Sequence, residues 1–127
     1  MTFADVAEGV KAAIAAYAQA LDDGRVDDLV ATFCTDGTAD LGFGVYEGHA
    51  ALREAFQGFV PQVPQRHVVS NTLVTQWSDT DAQATSDLVF MVKGDGGWAT
   101  SLVGRYTDTL RNDDGIWRFA RRVVEFL

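Results

Sequence analysis

Two histidines, three tyrosines and a scatter of aspartates carry the chemistry that this chain can do. His67 leads, because imidazole is the side chain whose ordinary pKa lies near neutrality, which suits proton transfer. The alternative for His67 is a strand-end histidine bonded to backbone. Tyr17 falls on an apolar helical face, so its hydroxyl needs a buried partner or a ligand; plain core packing is the competing reading. Asp22 sits five residues further, about 140° round an ideal helix from Tyr17, so the two share a pocket only if the helix end loosens or tilts. A carboxylate at a helix C-terminus opposes the helix dipole, which hints at a role beyond solvation. Asp40 lies at the end of a short strand candidate. Arg121 shares strand alternation with Trp117, Phe119 and Val123, which points it inward, where it needs an anionic ligand group or an acid such as Asp22 or Asp40. Asn71 shares strand parity with His67 and is read as hydrogen-bonding a ligand or a neighbouring strand.

Other candidates carry less. His49 follows Gly48 at a helix entrance and is expected to touch helix-end groups or water. Cys34 has no activating base near it in sequence and reads as a small buried thiol. Asp22, Asp23, Asp27 and Asp28 spread around two helices without calcium-loop spacing, so they read as a solvated face. No metal site is expected. Asp87 faces away from the apolar alternation of its strand, Ala84, Ser86, Leu88, Phe90 and Val92.

The elements that must hold these groups follow from periodicity. Phe3, Val6, Val10, Ile14, Tyr17 and Leu21 step by three and four, one face of a helix. Thr2 and Asp5 form a capping-box variant at its start, and Asp23-Gly24 ends it. Val26, Leu29, Val30 and Phe33 predict a second short helix, Thr38 to Leu41 a short strand, Gly42 to Gly48 a loop, and Ala50 to Phe59 a third helix closed by Pro61 and Pro64. The period then changes. Arg66–Trp77, Ala82–Lys93, Trp98–Arg111 and Ile116–Phe126 predict four long strands with short, turn-rich joints, an antiparallel meander. Helices first and strands after define an α+β chain, with one strongly curved sheet wrapped on the first helix and a pocket in its concave mouth.

Composition bounds the function. The chain has 127 residues, 47% hydrophobic and 22% charged, and is read as a single domain over 1–127. Eighteen acidic residues against ten basic ones give a net charge of −8, which argues against nucleic acid and against an anionic membrane surface. One cysteine permits no intrachain disulfide and fits a reducing cytoplasm. The N-terminal residues lack a signal-peptide pattern, and no apolar run is long enough for a membrane span. Phosphate-loop, dinucleotide and nucleophile-elbow motifs are absent, so no cofactor is expected.

Tyr17-Ala18-Gln19-Ala20-Leu21-Asp22-Asp23-Gly24, Leu29-Val30-Ala31-Thr32-Phe33 and Thr35-Asp36-Gly37 resemble the opening of the SnoaL-like family. Tyr46-Glu47-Gly48, Arg66-His67-Val68-Val69-Ser70-Asn71, Gly104-Arg105-Tyr106-Thr107-Asp108 and Gly115-Ile116-Trp117-Arg118-Phe119-Ala120-Arg121-Arg122 extend the resemblance over the whole chain. It implies the α+β cone of nuclear transport factor 2, scytalone dehydratase and ketosteroid isomerase. That superfamily spans dehydratases, isomerases, polyketide cyclases, non-catalytic dioxygenase subunits and transport adaptors, so fold alone does not fix function. From the dehydratases the resemblance implies His67 as general acid/base, Asp22 as its orienting acid and Tyr17 as a phenol polarising a carbonyl. The isomerase base aligns with Leu41 rather than Asp40, which weakens the isomerase reading. Asn71, Asp40 and Arg121 complete the candidate ligand contacts. The function expected is a cofactor-free lyase or isomerase acting on a small apolar, oxygenated ring compound, with a non-catalytic binding or accessory module as the rival. Pairing through the outer sheet face, which carries Val89, Met91 and Val124 by alternation, is expected to give a homodimer.

Overall fold

Helix α1 (Phe3–Asp22) begins where the sequence says it should. Thr2 Oγ1 accepts the Asp5 N–H at 3.2 Å and Asp5 Oδ2 accepts the Thr2 N–H at 2.8 Å, so aspartate serves in the capping box. The computed structural model describes residues 1–127. Along α1, Val6, Val10, Ile14, Tyr17 and Leu21 are buried as the spacing requires; Phe3 instead lies half in water, edge-on to Trp77. Helix α2 (Val26–Ala31) is shorter than expected. The chain leaves it at Thr32, and Phe33 opens strand β1 (Phe33–Asp40) rather than closing a helix. The segment read as a loop holds a short strand, β2 (Val45–Glu47), paired antiparallel with β1. Helix α3 (His49–Gln57) comes next.

The meander is strands β3 (Gln65–Trp77), β4 (Asp81–Gly94), β5 (Gly97–Asp113) and β6 (Ile116–Phe126). Asp114 and Gly115 join β5 to β6 with φ of 53° and 90°, the positive values that a two-residue hairpin turn of matching twist demands. The six strands form one sheet in the order β2-β1-β6-β5-β4-β3, with β1 parallel to β6 and every other pair antiparallel. The sheet curls around α1 without closing.

Bulges shape it, because an extra residue bends a strand and exchanges the faces of the residues beyond it. On β6, Thr109 pairs with Arg121 but Leu110 pairs with Phe119, leaving Ala120 as the extra residue. Trp117 and Phe119 are buried before the bulge, Arg122 and Val124 after it. The alternation that put Arg121 inside and Val124 outside is therefore corrected: Arg121 faces outward and Val124 belongs to the core. On β3, Asn71 and Thr72 together oppose Ser86, and Asn71 takes a positive φ of 55°.

One core fills the concave side. Tyr17 sits at its centre, edge-on to Phe33, Phe56, Tyr106 and Phe119 with ring centroids 6.1, 6.2, 6.1 and 5.8 Å away. Such edge-to-face pairs add modestly to the area that the rings bury. No helix is long and apolar enough to cross a membrane.

Candidate active site

The curled sheet and α1 leave a cavity of about 200 Å³ between them. Its wall is aliphatic and aromatic apart from Gln65, His67 and the phenols of Tyr17 and Tyr106. Phe43 and Phe126, both substantially exposed, line it at the solvent side.

The strongest polar arrangement joins the end of α1 to the start of β3. Asp22 Oδ1 accepts from His67 Nδ1 at 2.6 Å, and its Oδ2 accepts the His67 backbone N–H at 2.8 Å. Gln65 Nε2 donates to Oδ1 at 3.2 Å. The side chains of Asp22 and His67 are only 4% and 12% exposed. A carboxylate offers acceptors alone, so the imidazole proton sits on Nδ1 and leaves Nε2 as the free nitrogen. The ring is braced by Phe90, 4.4 Å away between centroids.

Asp22 reaches this position although α1 stays helical through it. It does not share the cavity wall with Tyr17; it acts on a histidine that does, which resolves the 140° between them. Tyr17 and Tyr106 both present their rings to the cavity, and neither hydroxyl hydrogen-bonds a protein group. Burial pushes both phenols above their ordinary pKa, so they stay protonated donors; Arg122 opposes that rise and Asp108 adds to it.

The three remaining candidates lie elsewhere. The Asn71 amide donates to Asp87 Oδ2 at 2.9 Å on the outer sheet face, where Arg105 Nε donates to Asp87 Oδ1 at 2.9 Å. The bulge at Asn71 is the reason: parity counted from His67 breaks there. Asp40 Oδ1 caps the turn after β1 by accepting the Gly42 N–H at 3.1 Å. Arg121, with its side chain 49% exposed, stands 3.7 Å from Asp40 in a surface ion pair, and neither lines the cavity. His49 meets the carbonyl of Phe33 at 2.9 Å through Nε2, a backbone contact rather than a role in the cavity. Cys34 is buried, and burial raises its thiol pKa, which keeps it unreactive. Asp27 and Asp28 pair with Arg53 and Arg25 at 3.1 and 2.6 Å.

Sequence reasoning missed Tyr106, Gln65, Arg122 and Asp108. The signal for Tyr106 and Asp108 was available: Gly104, Tyr106, Asp108 and Leu110 alternate on β5 and are all buried. Arg122 was hidden by the bulge. It is 0% exposed, with Nε 3.1 Å from Asp108 Oδ1. Its guanidinium carbon lies 3.4 Å from the centroid of Tyr106, 4.2 Å from Tyr17 and 4.6 Å from Phe119. Burial outweighs Arg122 and pushes Asp108 up to about 6.

The family model of the SnoaL-like domain matches residues 4–123. This chain belongs to the SnoaL-like family. Among solved structures, this SnoaL-like chain resembles three proteins of Novosphingobium aromaticivorans. The first is provisionally named an aromatic ring hydroxylase: 29% identity, TM-score 0.82, covering 94% of this chain and 87% of that one. The second is provisionally named a scytalone dehydratase: 22% identity, TM-score 0.83, with 94% and 83% coverage. The third is the β subunit of a provisionally named aromatic-ring-hydroxylating dioxygenase: 18% identity, TM-score 0.85, with 98% and 92% coverage. The last two are similar in fold alone. No match was found among curated proteins.

Proposed function

We propose that this SnoaL-like protein is a cofactor-independent lyase or isomerase acting on a small, apolar, oxygenated ring compound. The observation that carries the reading is a half-buried histidine, fixed at Nδ1 and at its backbone by one aspartate, opening on a cavity whose wall is apolar apart from Gln65 and two phenols. His67 Nε2 takes or gives the proton, Asp22 fixes the tautomer and stabilises the imidazolium, and the Tyr17 and Tyr106 hydroxyls bind the substrate oxygen. Size narrows the class. A pocket of about 150 Å³ admits benzene, whereas drug-sized ligands occupy roughly 300 Å³ or more, so 200 Å³ suits a single ring. The test is a screen of one-ring hydroxylated ketones for dehydration or isomerisation, repeated with His67→Gln. Loss of a positioned acid/base costs about 10²–10⁴-fold in rate. Full turnover by His67→Gln on an active substrate would refute the assignment.

The small cavity also supports a second reading, a non-catalytic module that holds a ring or serves as an accessory subunit. Binding of ring compounds without turnover across the screen would favour it. Both readings include a homodimer formed through the outer sheet face. Val68, Val89 and Val103 are register partners on three adjacent strands of that face, and Val68 and Val103 are exposed. The buried, unpaired Cys34 accords with a reducing compartment, and a cytoplasmic location is part of the proposal.

A further inference from the structure

We infer that Arg122 is a positioning residue that works through the two cavity phenols: its guanidinium, lying over the rings of Tyr106 and Tyr17, strengthens them as hydrogen-bond donors to a substrate oxygen that gains negative charge. The inference rests on the proposed reading of the cavity and goes beyond it.

Stability does not explain this arginine. It is wholly buried, its countercharge is Asp108 at 3.1 Å, and the pair lacks hydrogen-bond geometry, so its three guanidinium nitrogens and both Asp108 oxygens go without a hydrogen-bond partner. Apolar residues of similar volume commonly replace such a pair with no loss of stability, or with a gain. The placement is what stands out. Arg122 does not line the cavity, yet the rings on which it lies most closely, Tyr106 at 3.4 Å and Tyr17 at 4.2 Å, both do. A cation on the face of a phenol ring draws on its electron density and makes the O–H a better donor. Neither hydroxyl has a protein partner, so each is free to donate to a ligand. Donors set in a dry site before charge develops are worth more than the same donors in water. The arrangement therefore favours an oxyanion over a neutral oxygen on the same ring. Asp108, 3.1 Å from the guanidinium, moderates the effect.

Two one-ring probes test this: nitrobenzene, which is neutral, and 4-nitrophenol at pH 8, where it is ionised. Affinities are measured by calorimetry for the native protein, Asp108→Asn and Asp108→Asn/Arg122→Met. Removing the Asp108 charge should tighten 4-nitrophenolate binding several-fold. Removing Arg122 as well should weaken it about tenfold relative to Asp108→Asn. Nitrobenzene should stay within about twofold throughout, which a general packing defect would not allow. In a Tyr17→Phe/Tyr106→Phe background the dependence on Arg122 should vanish; its persistence would show a direct charge effect and overturn the inference. So would 4-nitrophenolate affinities that merely track those of nitrobenzene. If the double variant does not fold, the sign of the Asp108→Asn effect decides: unchanged or weaker 4-nitrophenolate binding defeats the proposal. If neither ring binds the native protein, the cavity reading fails and this inference with it.

Discussion

Asp22 holds His67 at two points, the ring through Nδ1 at 2.6 Å and the main chain through its N–H at 2.8 Å. One carboxylate therefore ties the end of α1 to the start of β3 and aims the imidazole at the same time. The same contacts also turn an unfavourable helix-end charge into a satisfied one.

Asp22→Asn should separate the two roles. An amide oxygen can replace only one of the carboxylate's acceptor sites, and its NH₂ group would face a donor. The stability loss is expected to be about 1–3 kcal/mol, the cost of a buried polar group left unmatched. In any active assay kcat should fall further than the stability change explains, because the tautomer is no longer fixed. Urea titration and steady-state kinetics on one preparation check both; unchanged kcat would remove Asp22 from the mechanism.

Tyr17→Phe keeps the central ring of the core and deletes a hydroxyl that bonds no protein group. Its thermal midpoint should stay close to that of the native protein, with a stability change under about 1 kcal/mol. Affinity for an oxygenated ring should drop while affinity for the matching hydrocarbon holds. A large loss of stability would mean that the hydroxyl has a structural partner.

Gly9 lies inside α1, where alanine would ordinarily be favoured by about 1 kcal/mol. Here a Cβ would press into the indole of Trp117, a buried ring of β6. Gly9→Ala should therefore destabilise the protein by about 1–3 kcal/mol, the usual cost of overpacking. A rise in thermal midpoint would show that Trp117 yields without cost.

The pair of Arg121 and Arg122 shows why some of the site was legible in the sequence and some was not. Helical spacing located Tyr17 and Leu21, and strand alternation located Leu88 and the outward Asp87, because an uninterrupted period fixes a face. At Ala120 and Asn71 one extra residue interrupts the period, and a one-residue slip exchanges the two faces. No residue type announces either bulge, apart from the tolerance of asparagine for positive φ at Asn71. The strand at Val45–Glu47 was hidden by its shortness and by the glycines around it. The union of Asp22 with His67, 45 residues apart, is implied by the family resemblance alone; helical geometry speaks only to Asp22 and Tyr17, which it places on different faces of α1.

The outer-face valines Val68, Val89 and Val103 sit opposite one another across β3, β4 and β5. An apolar row on a polar sheet face is a natural seam for a second copy, and the parity shift that withdraws Val124 does not touch it. Sedimentation equilibrium should give a dimer at micromolar concentration, and Val89→Asp should yield a folded monomer. A native protein that stays monomeric well above micromolar would remove this assembly.

Asp108 sets a pH dependence with a definite sign. Burial raises its pKa in the folded chain from 3.8 to about 6, so the folded state binds the proton more tightly than the unfolded state does. The stability it contributes is fully present below about pH 4 and is lost as pH rises towards 6. A rise of this size corresponds to about 3 kcal/mol. Other carboxylates titrate over the same range, so the comparison must be with Asp108→Asn, which lacks this proton and keeps the shape. The unfolding free energy of the native protein minus that of the variant, from urea titrations between about pH 4 and 7, should fall by up to about 3 kcal/mol and then level. A difference that increases with pH would mean that Arg122 at 3.1 Å holds the carboxylate charged against burial, reversing the balance of forces assigned to this pair.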